Sequence, residues 1–63
     1  MSECQYRTVY LFDGGEMTGY YDDDYTQEVV ALRTLGRETA QGRVIHTARL
    51  FDVDGNLTGE LEH

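Results

Sequence analysis

The stretch GYYDDDYTQE, Gly19 to Glu28, sets three consecutive aspartates among tyrosines with no basic residue inside it. Carboxylates gathered beside aromatic rings suit one kind of chemistry directly. They accept hydrogen bonds from ammonium and guanidinium groups, and tyrosines add rigid contact area with a polar tip, as at many protein interfaces. The candidate partner-binding set is Asp13, Glu16, Tyr20, Tyr21, Asp22, Asp23, Asp24, Tyr25 and Glu28. A plainer role competes for part of it. Asp24 reads as a helix N-cap with Gln27 at N3, close to the capping-box pattern. Asp22, Asp23 and Glu28 would then lie near the positive end of the helix dipole. That role accounts for Asp24 and Asp23, but not for Asp13, Glu16 and Glu28 nearby without arginines, nor for Tyr20, Tyr21 and Tyr25 between them.

Other residues with chemical potential fit their motifs poorly. DVDGNLTGELEH offers Asp52, Asp54 and Asn56 at positions 1, 3 and 5 of a calcium loop. The glycine then falls at position 4 instead of 6, and His63 stands where a glutamate is required. A hairpin turn explains the segment better, and no metal or other cofactor is expected. Cys4 lacks the base and orienting group of a nucleophile, and His46 lies in the middle of a strand pattern. Asp13 and Asp52 would form a carboxylate pair only if their turns met; turn capping explains each. Gly14-Gly15 has neither the spacing nor the lysine of a phosphate loop. No enzyme is expected.

The elements that must position these residues follow from local pattern. QYRTVYLF, Gln5 to Phe12, is rich in β-branched and aromatic residues. It reads as a strand with Tyr6, Thr8, Tyr10 and Phe12 on one face and Arg7, Val9 and Leu11 on the other. Asp13-Gly14-Gly15 signals a turn, and Met17 to Tyr21 a short return strand. From Asp24 onward Tyr25, Val29, Leu32 and Leu35 or Gly36 recur at helical spacing. Gly36 suits the C′ position, although a helix running on to Ala40 and a rival strand over 28–35 are both alternatives. Arg43 to Phe51 reads as a strand, Asp54-Gly55 as a hairpin turn, and Leu57 to Leu61 as its return. LFDGGEMTG (11–19) and LFDVDGNLTG (50–59) echo one another; two hairpins of one style explain the echo. The expected class is α+β: a small antiparallel sheet of three to four strands with one helix packed on one face, in the order ββαββ or βαββ.

Size and charge narrow the functions available. A 63-residue chain is one small domain, and so small a core usually gains from a disulfide, a metal or a partner. A single cysteine excludes an internal disulfide. The net charge of −7, with arginine as the only strong base, argues against direct nucleic-acid binding. The charge is unevenly spread: residues 1–28 carry a net −6, 29–49 a net +3 and 50–63 a net −4. No run suits a membrane span or a secretory leader, so a cytoplasmic protein is expected. Residues 1–60 are expected to form the domain. Residues 61–63 (LEH) match the start of a common vector-derived histidine tag.

A short acidic domain, the GYYDDDYTQE tract and a strand–helix–strand–strand order resemble the type of small phage-encoded inhibitors of bacterial defence. These include anti-CRISPR proteins and other DNA-mimicking anti-restriction proteins. The resemblance is one of type and transfers no residue role. It implies a basic, nucleic-acid-binding partner, such as a DNA-recognising subunit of a CRISPR effector, blocked by a carboxylate and tyrosine surface. An alternative is a structural domain that dimerises through a strand edge. A third is an ordinary protein of a halophile, whose acidity serves solvation and whose folding would need molar salt.

Overall fold

Tyr6–Phe12 forms strand β1 and Gly15–Tyr21 strand β2, joined by the Asp13-Gly14 turn in which Gly14 takes φ +95°. The computed structural model describes residues 5–63; Cys4 lies outside the described residues. Helix α1 runs over Asp24–Thr34, followed by β3 at Ile45–Phe51 and β4 at Leu57–Glu62. The order is therefore ββαββ, with a full second strand. The segment 28–35 belongs to the helix and its C-cap Leu35, and not to a strand. Gly36 follows the cap at φ +82°, a left-handed position that glycine occupies without steric cost.

All four strands join one antiparallel sheet in the order β2-β1-β3-β4. The two hairpins thus meet through their inner strands. β1 and β3 are paired on both sides, whereas β2 and β4 are the edges. β1 alternates as its sequence predicts, with Thr8 and Tyr10 buried on the helix side. β3 does not alternate cleanly at its start, because its pairing with β1 steps from Thr47 to Ile45 between Leu11 and Phe12 and leaves His46 as an extra residue; the slip against β4 places its extra residue, Thr58, on β4 instead. A bulge of this kind lets neighbouring residues change face. Plain alternation sets the two Leu-Phe pairs differently: Phe12 shares the core face with Tyr10, while Leu50 shares it with Ala48 and Phe51 lies on the other face under the Arg7 guanidinium, 4.5 Å from its ring centroid. The two LFD segments match in sequence and differ in packing.

The core consists of Tyr10, Ala31, Ile45, Ala48 and Leu50, with Phe12, Leu35 and Leu61 packed against it. Leu61 and Glu62 are paired with Ala48 and Thr47 in β4, so the sheet extends past residue 60 and uses part of the LEH segment.

The helix buries a different stripe from the one its apolar spacing predicts. Tyr25 and Leu32 are 75% and 58% exposed, while Gln27 and Ala31 face the sheet at 3% and 0%. The reason is polar. The Gln27 amide donates two hydrogen bonds, to the Arg7 carbonyl at 2.9 Å and the Phe51 carbonyl at 3.0 Å. Those residues face one another across β1 and β3. One side chain thus pins the first turns of the helix to both central strands. Ala31, one turn later, has no bulk to hold the helix off the sheet.

A second polar contact crosses the helix side of the sheet. The hydroxyls of Tyr10 and Tyr21 are 2.7 Å apart. Burial, then the Tyr21 hydrogen bond and charge, push the Tyr10 hydroxyl pKa well above its ordinary value of 10.0. Gly19 makes room for this pair: a Cβ there would sit 2.9 Å from Tyr21 Cζ.

Two measurements check these roles. Gln27→Leu keeps the volume but removes both hydrogen bonds, and should lower the unfolding free energy in urea by roughly 1–3 kcal/mol. A raised folded-state pKa means that the neutral Tyr10 hydroxyl stabilises the fold fully below pH 10 and that this stability is lost as pH rises beyond it. Thermal midpoints should therefore drop in alkali more steeply for the native chain than for Tyr10→Phe.

Candidate functional site

The chain leaves β2 at Tyr21, turns at Asp22 and caps its helix with Asp23. Asp23 has extended backbone (φ −145°, ψ 165°), and its Oδ1 accepts the Thr26 N–H at 2.6 Å. The N-cap is therefore Asp23 and not Asp24, which is the first residue of the helix. This one-residue advance takes Gln27 out of the capping-box position and aims it at the sheet. The Gln27 bonds to β1 and β3 outweigh a reciprocal cap, which two solvated groups could make only weakly. The Thr26 hydrogen bond holds the Asp23 carboxyl below its usual pKa.

Asp22, Asp23, Asp24, Tyr25 and Glu28 form one exposed cluster around the start of α1. None of the arginines offsets it among the described residues. Arg43 donates to the Asp13 carbonyl, Arg37 to the Arg33 carbonyl at 3.1 Å, and Arg49 pairs with Glu60 at 2.9 Å. Arg7 lies over Phe51. Arg33 is in the last turn of α1, about 13 Å along the axis from Asp24 at 1.5 Å per residue, and it favours the negative end of the dipole there.

Four of the residues grouped with this cluster by sequence stand elsewhere. Asp13 and Glu16 lie at the far end of the β1–β2 hairpin, about 17 Å away at the rise of a strand. Asp13 has its carboxylate 3.7 Å from His46. Tyr20 is 61% exposed but points to the sheet face opposite the helix, while Tyr21 turns inward to Tyr10. Alternation along β2 separates the two tyrosines, as it separates any neighbouring pair on a strand.

Beside the cluster the helix leaves part of the sheet uncovered. A groove of about 390 Å³ runs between the first half of α1 and the β3–β4 hairpin. Asp24, Tyr25 and Glu28 line its helix side, and Leu50, Gly59 and Leu61 its floor. Nothing in the local pattern marks the floor residues, since strand pairing brings them to the helix from more than twenty positions away.

The other candidates resolve into structure. Asp52 Oδ1 accepts the N–H groups of Asp54 and Asn56, both at 2.9 Å, and so shapes the β3–β4 turn. The antiparallel β1–β3 pairing sends Asp13 and Asp52 to opposite ends of the sheet, about 20 Å apart by strand rise, so they form no carboxylate pair. Among the described residues no three His, Cys, Asp or Glu side chains converge as a metal site. No helix among them is long and apolar enough to cross a membrane.

The cap gives a test by acid. A lowered folded-state pKa means that the Asp23 contribution is present above pH 3.8 and is lost as pH falls through the folded value. Asp23→Asn keeps a capping oxygen, whereas Asp23→Ala does not. At neutral pH the alanine variant should melt below both others. The advantage of the native chain over Asp23→Ala should shrink as pH falls below 3.8, while that of Asp23→Asn should persist. Comparison of the chain with protein-family models, curated proteins and solved structures finds no match.

Proposed function

We propose that the chain is a non-enzymatic inhibitor that binds a basic, nucleic-acid-binding protein through the carboxylates at the start of α1. The observation that carries this reading is the exposed set Asp22, Asp23, Asp24 and Glu28, with Tyr25 beside it and no arginine of the chain's own against it among the described residues. Exposed carboxylates with no internal counter-charge are free to meet a cationic surface, with opposite charge favouring the contact. A protein surface shaped for DNA expects about one charge per 1.7 Å of axis, and a compact carboxylate cluster on a helix presents charge at comparable density. The action proposed is of the anti-CRISPR or anti-restriction type: the chain occupies a DNA-recognition surface, such as that of a CRISPR effector subunit in the host cytoplasm, and keeps DNA from it. Steering by opposite charge would speed the encounter.

The sequence alternative is dimerisation through a strand edge. Among the described residues β1 and β3 are interior strands and β2 and β4 the edges open to a second copy.

Capture from host lysate with the tagged chain tests the proposal. The native chain should retain a basic nucleic-acid-binding protein, with retention falling steeply as salt rises. Asp22→Asn, Asp23→Asn and Asp24→Asn combined should abolish capture with the fold intact, because asparagine still caps the helix. Unchanged capture by the folded triple variant would refute the proposal.

A further inference from the structure

We infer that the groove between α1 and β4 seats an extended segment of the partner that pairs with the β4 edge and places an arginine or lysine side chain between Asp24, Tyr25 and Glu28. This rests on the proposed binding of a basic protein and says where and how its cation is held.

Several features meet at this groove. Its floor is apolar, from Leu50 and Leu61, and is low at Gly59, which has no side chain. Its helix wall carries two carboxylates four residues apart, hence on one face of α1, with the 75%-exposed Tyr25 ring beside them. An aliphatic stem that ends in a cation matches this division: the methylenes cover the leucines while the charged head reaches the carboxylates and the ring. At about 390 Å³ the groove has the size of small-ligand sites, which suits a long side chain with its flanking backbone.

The edge explains how the cation arrives. β4 is the outer strand of the sheet, and its outer side pairs with no described residue. Such an edge is a template for another strand. Gly59 and Leu61 pair with Leu50 and Ala48 and so lie on the helix side. Alternate side chains of an added strand, about 4.8 Å further out, would point to that same side and into the groove. Charge selects the occupant. A second copy would set one chain of net charge −7 against another, with Glu60 and Glu62 of β4 near their own counterparts. A cationic segment meets opposite charge instead.

The test is an amide-resolved NMR titration of the whole 15N-labelled chain with the peptide acetyl-Thr-Val-Arg-Val-Thr-amide. The control is the same peptide with neutral citrulline for arginine. Saturable shifts should centre on Tyr25, Glu28, Gly59 and Leu61, and citrulline should produce none that saturate. Glu28→Gln should weaken binding by about tenfold and Tyr25→Ala should also weaken it; both positions are exposed, so the spectrum itself reports an intact fold. Shifts centred on β2 or on the Asp52–Asn56 turn, equal binding of citrulline, or no saturation would overturn the inference. Lysate capture that depends on Asp22–Asp24, together with no peptide in the groove, would remove this inference and leave the proposed function standing. A peptide seated in the groove without capture of any basic protein would do the reverse.

Discussion

The structure depends on one buried amide. Gln27 donates to the carbonyls of Arg7 and Phe51, and through them it fixes helix α1 to the two central strands at once. Burying a polar group costs free energy unless its hydrogen bonds are made. Other rotations of this helix about its axis would break both of these hydrogen bonds. The constraint is strong because the apolar alternative is weak. Tyr25, Val29, Leu32 and Leu35 supply a stripe at helical spacing, yet Tyr25 and Leu32 are largely exposed and Leu35, at the C-cap, is the member packed against the core. Polar geometry here decides the face of the helix, and apolar area follows.

That rotation has consequences for the surface. With Gln27 and Ala31 turned to the sheet, Asp24, Tyr25 and Glu28 are turned away from β1 toward the β4 side. There they meet the uncovered strip of sheet formed by Leu50, Gly59 and Leu61. The cap acts in the same direction. Asp23 is committed to the Thr26 N–H, which starts the helix one residue earlier than a cap at Asp24 would. Capping, helix phase and the placement of the carboxylates are therefore one coupled arrangement. The aspartate run serves both readings that compete for it: one carboxylate holds the helix, and the others remain in solvent.

Charge is also divided by architecture. Arg37 and Arg43 donate to carbonyls, Arg49 pairs with Glu60, and Arg7 lies over an aromatic ring. They sit on the open face, in the turns and at the end of α1. The acidic start of the helix is thus left to itself, although the chain contains basic residues enough for several pairs. Arg43 and Arg7 reach other elements, at Asp13 and Phe51, and Arg49 pairs with the neighbouring strand, so these contacts all lie away from the start of α1.

Much of the fold is legible in local pattern. β1 alternates along QYRTVYLF, glycine closes the turns, and Gly36 ends the helix, because strand period, left-handed backbone and helix termination are properties of a few neighbouring residues. The α+β class and the antiparallel hairpins follow from these. The candidate site is legible only in part. Consecutive acids at a helix start must be close together, so Asp22, Asp23, Asp24, Tyr25 and Glu28 hold as a group. Asp13, Glu16, Tyr20 and Tyr21 do not join them, since seven residues of extended strand carry the first two away and a two-residue period splits the tyrosines. Only tertiary structure decided the helix face and the groove floor. Both rest on residues twenty or more positions apart, Gln27 bonded to the Arg7 and Phe51 carbonyls and Glu28 lining one groove with Leu61, and no local periodicity encodes which distant carbonyl a buried amide will find.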